Sequence, residues 1–244
     1  MHIGELQVVL LCGGKGTRAY PHTQDVPKPL MDVAGEPILA HVMRIYAAQG
    51  VRRFLLSAGY MADSIEAFAA GTPSDWKVDV VDTGESTNTA GRIKRLEDRL
   101  EDVFFANYAD GLGDVDLTAL LAHHHGHPGA ATLTTVPLPS QYGTIDTDEH
   151  GQVRRFREKP RLPDHRINGG YFVFDRRALD FFNGDDLERD VLPHLGEEGE
   201  LYAYHHQGFW QSMDTYKDAL ELTALAEGGT PWMRAPLSTP TDRN

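Results

Sequence analysis

Residues suited to phosphate chemistry gather near the start of the chain. Cys12-Gly13-Gly14-Lys15-Gly16-Thr17-Arg18 is followed by Pro27-Lys28-Pro29. Glycines accept positive φ and leave room for a bulky group to approach backbone N–H donors. Lys15, Arg18 and Lys28 supply the charge that a polyphosphate requires. The spacing matches neither the dinucleotide fingerprint nor the P-loop, and a Gly-Gly after a strand, read alone, is more often a simple turn.

Four more stretches carry groups that could join such a site. Asp82-Thr83-Gly84-Glu85-Ser86-Thr87-Asn88-Thr89-Ala90-Gly91-Arg92 is polar and runs into a helix; composition alone favours a surface loop with helix-capping residues. Asp110-Gly111 follows an apolar run, where an aspartate could hold a divalent metal, although an isolated Asp-Gly usually marks a turn. Arg157-Glu158-Lys159-Pro160 by itself reads as a solvated charge run ended by proline. Asp214, ahead of a helix from Tyr216 to Ala226, reads in isolation as its N-cap. His123-His124-His125-Gly126-His127 has no cysteine or second cluster to complete a tetrahedral metal site, so a solvated helix end is expected.

The elements that must position these residues alternate in type. Gln7–Leu11 is a buried strand, and Pro37–Gln49 carries a helical apolar stripe stopped by Gly50. Strands are expected at 54–56, 78–81 and 103–108, with a helix from Met61 to Ala70. Asp114 and Asp116 are expected to serve the turn and cap before a helix from Leu117. Strand-helix alternation means βαβ units and a mostly parallel sheet, with ligands outside the carboxyl ends of its strands. Beyond Ala131 the pattern turns to strands and turns (131–135, 142–147, 153–156, 167–174, 201–204), with short helices at 177–182 and 187–195.

The chain's 244 residues allow one large α/β domain. We expect it to span residues 1–234, with a flexible tail at 235–244. A net charge of −13 argues against nucleic acid as a partner, and makes the local cations more telling as an anion funnel. One cysteine excludes an internal disulfide framework. Without a signal peptide or a long apolar run, no membrane association and a cytoplasmic location are expected.

From Leu11 through Pro27-Lys28-Pro29-Leu30 and Gly35-Glu36-Pro37, the chain resembles the sugar-1-phosphate nucleotidylyltransferases, with Cys12 where that family commonly has alanine. Asp82–Arg92 looks like the base-reading loop of the glucose-1-phosphate cytidylyltransferase branch, with Ala90 replacing the first of two glycines. Ala109-Asp110-Gly111 is similar to the Gly-Asp-Gly metal motif. Glu158-Lys159-Pro160, Asn168-Gly169-Gly170 and Phe209-Trp210-Gln211-Ser212-Met213-Asp214 resemble further family motifs.

The resemblance implies a Rossmann-like, mostly parallel mixed sheet flanked by helices, of the nucleotide-diphospho-sugar transferase type, with residues 1–234 nucleotide-binding in their first half and sugar-binding in their second. It also implies Mg2+ on Asp110 and Asp214, and nucleotide contacts at Leu11, Gly13, Gly14, Gly16, Thr17, Thr83 and Arg92. Catalytic charge would come from Arg18, Lys28 and Lys159, and sugar contacts from Gly143, Glu158, Lys159, Asn168 and Gly169. The implied reactants are a nucleoside triphosphate, CTP first, and a sugar 1-phosphate, glucose 1-phosphate first. Another phosphate or phosphonate acceptor, or a catalytically silent regulatory homologue, are the alternatives. The short link from Ala70 to Asp82, where that branch carries a longer insertion, leaves assembly as a homo-oligomer open.

Overall fold

The computed structural model of the chain describes residues 3–234; the tail expected at 235–244 lies outside the described residues. Strand β1 (Gln7–Leu11) is buried along its whole length. Successive side chains of a strand face opposite ways, so Val8 and Leu10 enter one core while Val9 and Leu11 enter the other. A short ribbon, β2 (Asp32–Val33) and β3 (Glu36–Pro37), leads into α1 (Ile38–Ala48). That helix buries Ile38, Leu39, Val42, Met43 and Tyr46 in the first core. Gly50 then turns the chain with φ of 105°, a conformation that favours glycine.

β4 (Arg53–Ala58), α2 (Ala62–Ala70) and β5 (Lys77–Asp82) complete the first half-sheet. α3 (Thr89–Lys94) leads to β6 (Val103–Asn107), β7 (Gly111–Gly113) and α4 (Leu117–His125). The second half holds β8 (Ala131–Pro139), β9 (Thr144–Thr147), β10 (Val153–Arg157) and β11 (Arg161–Asp175). It ends with α5 (Leu192–Glu197), β12 (Leu201–His205), β13 (Trp210–Ser212) and α6 (Tyr216–Glu227). One seven-stranded sheet in the order β12-β8-β11-β6-β1-β4-β5 spans both halves, and within it β11 runs against the other six. Phe105 enters the first core, and Phe104, Phe172 and Phe174 enter the second. Each such burial contributes about 1.5–3 kcal/mol.

The expected α/β class and mostly parallel sheet are present, and several local readings are corrected. Residues 176–181 form a tight 3₁₀ segment. The helix expected at 187–195 begins as a π-helical turn, Leu187–Val191, before α5. Asp116 caps α4 by accepting from the Ala119 N–H at 2.9 Å, whereas Asp114 faces the His206 ring at 3.1 Å. The cap of α6 is Thr215, in a reciprocal capping box with Asp218, and not Asp214. The histidine run is not wholly solvated. His124 is 2% exposed and bonds Thr132 and Asp175, because α4 packs its last turn on the sheet. Among the described residues no helix is long and apolar enough to cross a membrane.

Candidate active site

A cavity of about 710 Å³ opens at the rim where β1 and β6 end, bounded by the glycine loop, the Asp82–Arg92 stretch and the middle of β11. Its charged centre is built by three segments far apart in the chain. Asp110 leaves β6 through Ala109, which sits in the left-handed region at φ 63° with its N–H donating to Asn107 Oδ1 at 2.9 Å. β7 then pairs antiparallel with β13, Gly111 opposite Ser212, and the Met213 N–H donates to the Asp110 carbonyl at 2.9 Å. This small ribbon brings Asp110 and Asp214 side by side.

Lys28 stands between the two carboxylates. Its Nζ donates to Asp110 Oδ2 at 2.6 Å and to Asp214 Oδ1 at 2.9 Å, and Arg18 meets Asp214 Oδ1 at 2.9 Å. Burial raises the Asp110 pKa, and the Lys28 charge opposes that rise. Burial would likewise pull Lys28 down, but Asp110 and Asp214 override it and its pKa stands raised. Lys28 is therefore a fixed ammonium, while Arg18, 71% exposed, is free to reorient toward a ligand.

The glycine loop is held from below. Arg92 is 3% exposed; its Nη2 donates to the Gly13 carbonyl, and its Nη1 to the Ala58 carbonyl and Thr83 Oγ1, each at 2.8 Å. A side chain on Gly13 would collide with that guanidinium. Arg92 reaches the cavity wall, but these three bonds go to protein oxygens. Thr83 is buried beside Ser57 and does not line the cavity. Leu11, Gly14, Gly16 and Thr17 do line it. Gly16 has φ of 60°, and a side chain there would press on Lys28 Cβ at 2.7 Å.

On the opposite wall the register of β11 against β8 shifts between Asn168 and Phe172, with Gly170 at φ 76°. Such a bulge re-aims side chains. Asn168 Oδ1 accepts from the Gly170 N–H at 2.7 Å, its Nδ2 donates to the Tyr108 hydroxyl at 2.8 Å, and Trp210 Nε1 donates to the Gly169 carbonyl at 2.8 Å. Asn168 and Gly169 thus line the cavity. Gly143, Glu158 and Lys159 do not. Glu158 and Lys159 are exposed at the end of the β9–β10 ribbon, and Glu158 lies over Gly143.

The nucleotidyl transferase family profile matches residues 7–227. The chain belongs to that family. This nucleotidyltransferase is 36% identical to a glucose-1-phosphate cytidylyltransferase of Salmonella typhi, over 93% of this chain and 98% of that one. It is also 32% identical to a mannose-1-phosphate guanylyltransferase catalytic subunit beta of Xenopus tropicalis, over 88% of this chain and 63% of that one. Among solved structures, HddC from Yersinia pseudotuberculosis superposes with a TM-score of 0.71 at 26% identity, covering 90% of this chain and 99% of that one. The protein is accordingly an enzyme of the sugar-1-phosphate nucleotidyltransferase group with the nucleotide-diphospho-sugar transferase fold.

The donor chemistry of this nucleotidyltransferase suits a small hard cation. Two carboxylates already converge on one cationic atom, Lys28 Nζ. Magnesium is usually held by one or two carboxylates, with phosphates and water completing the shell. Tyr108 and Glu188 also line the wall, and the sequence marks neither; Trp210 lines it as part of the Phe209–Asp214 motif. Tyr108 sits next to the Ala109-Asp110-Gly111 motif. Glu188 has no readable signal, since it arrives on a turn of unusual geometry.

Proposed function

We propose that the enzyme joins CTP to glucose 1-phosphate, releasing pyrophosphate and forming CDP-glucose. The convergence of Asp110 and Asp214 on Lys28, at the rim shared with the glycine loop, carries this reading. In the reaction a sugar-phosphate oxygen bonds to the α-phosphorus of CTP as the bond to the pyrophosphate oxygen breaks. The attacking oxygen is already ionised near neutral pH, so no general base is required. The obstacle is repulsion between anions, which positioning and fixed charge can lower.

Each side chain has a part in that task. The Gly13–Thr17 backbone receives the triphosphate, and Arg18 turns from Asp214 to the leaving β,γ-phosphates. Lys28 neutralises the α-phosphate or the sugar phosphate. Arg92 and Thr83 hold the loop in shape. Asp110 and Asp214 would hold Mg2+, which when bound neutralises phosphate charge and polarises the α-phosphorus. Asn168 and Gly169 line the sugar side. Lys159 meets the sugar phosphate once the β9–β10 ribbon folds inward, a movement its exposure permits.

The base rests on the 36% identity to a cytidylyltransferase and on the resemblance of Asp82–Arg92 to its loop. A guanylyltransferase relative at 32% identity makes the comparison necessary. The test is a matrix of nucleoside triphosphates against sugar 1-phosphates with magnesium, read by pyrophosphate release. CTP with glucose 1-phosphate should turn over fastest. Faster turnover with GTP and mannose 1-phosphate would overturn the base and sugar assignments, and silence in every well would overturn catalysis.

A further inference from the structure

The cavity wall also contains an exposed carboxylate that the phosphate chemistry does not use. Glu188 reaches the cavity from the Leu187–Val191 turn. Its Oε2 accepts from the Thr89 hydroxyl at 3.0 Å, and Thr89 Oγ1 in turn accepts from the Leu187 N–H at 2.8 Å. The Tyr108 hydroxyl, which accepts from Asn168 Nδ2, also faces this carboxylate; burial and then Glu188 push its pKa up. A polar chain therefore runs from α3 through Glu188 and Tyr108 to Asn168 on the β11 bulge.

A carboxylate in a site for two phosphorylated reactants would be harmful beside either phosphate. It must face an uncharged part of a substrate that offers hydrogen-bond donors. A carboxylate has about four lone-pair positions, so two hydroxyl partners leave it able to accept from a ligand. Resting on the proposed function, we infer that Glu188 accepts a hydrogen bond from one ring hydroxyl of the sugar 1-phosphate and so helps select the sugar. The link through Tyr108 to Asn168 puts it on the sugar side. Charge-assisted bonds of this type are among the strong ones, and a site committed to a hydroxyl rejects the analogue that lacks it.

The test uses steady-state kinetics of wild type, Glu188→Gln and Glu188→Asp with CTP, glucose 1-phosphate and its monodeoxy analogues, with thermal melting to confirm folding. Glu188→Gln should raise the sugar-phosphate KM by about tenfold or more, the scale of a lost charged hydrogen bond, and leave the CTP KM within about twofold. For one monodeoxy analogue, wild type and both variants should become nearly equal, because the hydroxyl read by the carboxylate is already gone. A purely structural Glu188 would instead impose the same penalty on every analogue, which overturns the inference. A rise mainly in the CTP KM overturns it too and moves Glu188 to the nucleotide. If wild type itself releases no pyrophosphate, the function reading has failed first; if wild type turns over and these patterns are missing, only the Glu188 assignment falls.

Discussion

Arg92 fills the space in which a side chain on Gly13 would lie, and its Nη2 donates to the Gly13 carbonyl at 2.8 Å. The same guanidinium would also strike a side chain on Gly59. The glycine loop, the end of β4 and the start of the Asp82–Arg92 stretch are thus pinned by one buried cation whose hydrogen bonds go to neutral oxygens. We expect Arg92→Lys to cost about 1–3 kcal/mol, because one ammonium cannot reach Gly13, Ala58 and Thr83 at once, although the Gly13 and Ala58 carbonyls keep the Tyr60 and Thr83 N–H groups as donors. Gly13→Ala should also lower the melting temperature and raise the nucleotide KM at least severalfold. A wild-type melting curve for Arg92→Lys would remove this role.

Removing either carboxylate from the Asp110–Lys28–Asp214 cluster should slow the reaction more than it harms the fold. Asp110→Ala or Asp214→Ala is expected to lower kcat by two or more orders of magnitude, as lost electrostatic clamps do. Pyrophosphate release followed against magnesium concentration checks this. Near-normal turnover at ordinary magnesium levels in either variant would sink the metal assignment. Lys28→Met leaves two neighbouring carboxylates without their shared cation, so it should lose turnover and, in the absence of magnesium, stability as well.

How much of this was legible follows from distance along the chain. β1, β4 and β6 are continuous apolar runs between glycine or polar breaks, and periodicity was sufficient to find them. Asp110 and Asp214 each stand beside a motif, but their meeting depends on β7 and β13, three-residue strands too short to leave a pattern. The sequence singles out Arg92 as a nucleotide contact. That its charge faces inward to Gly13, Ala58 and Thr83 is set by the packing of α3, which no local signal encodes. The burial of His124 is likewise a tertiary fact, invisible in a run of histidines.

Lys159 offers a test of movement. It is exposed, lies outside the cavity and adopts φ of 41°, an uncommon conformation for a side-chain-bearing residue. Lys159→Ala should leave the melting temperature within about 1–2 °C, since exposed substitutions are usually near neutral. The sugar-phosphate KM should rise far more than the CTP KM. An equal rise in both would show that the ribbon serves the nucleotide or neither substrate.

The histidines at the end of α4 make a prediction about acid stability. The Gly129 N–H donates to His127 Nδ1 at 3.2 Å, so the proton of neutral His127 lies on Nε2 and is donated to Thr132 Oγ1 at 2.7 Å. The Thr132 hydroxyl then donates to His124 Nδ1 at 2.8 Å, and His124 Nε2 donates to Asp175 at 3.2 Å. Every position in this chain is assigned with both rings neutral. Burial lowers both histidine pKa values; the Asp175 carboxylate opposes it at His124, and neighbouring histidines add to it at His127. The unfolded chain, with ordinary histidines near pKa 6.5, therefore binds protons before the folded one does. By linkage, stability is complete above that pH and is lost as pH falls from about 6.5 through the depressed folded values. Melting temperature measured from pH 8 to pH 5 should drop below about pH 6.5 in the wild type. His124→Gln, which keeps polar contacts to Thr132 and Asp175 but cannot titrate, should be less stable at pH 8 and show a shallower fall. An equal slope in the two proteins would place the acid sensitivity elsewhere.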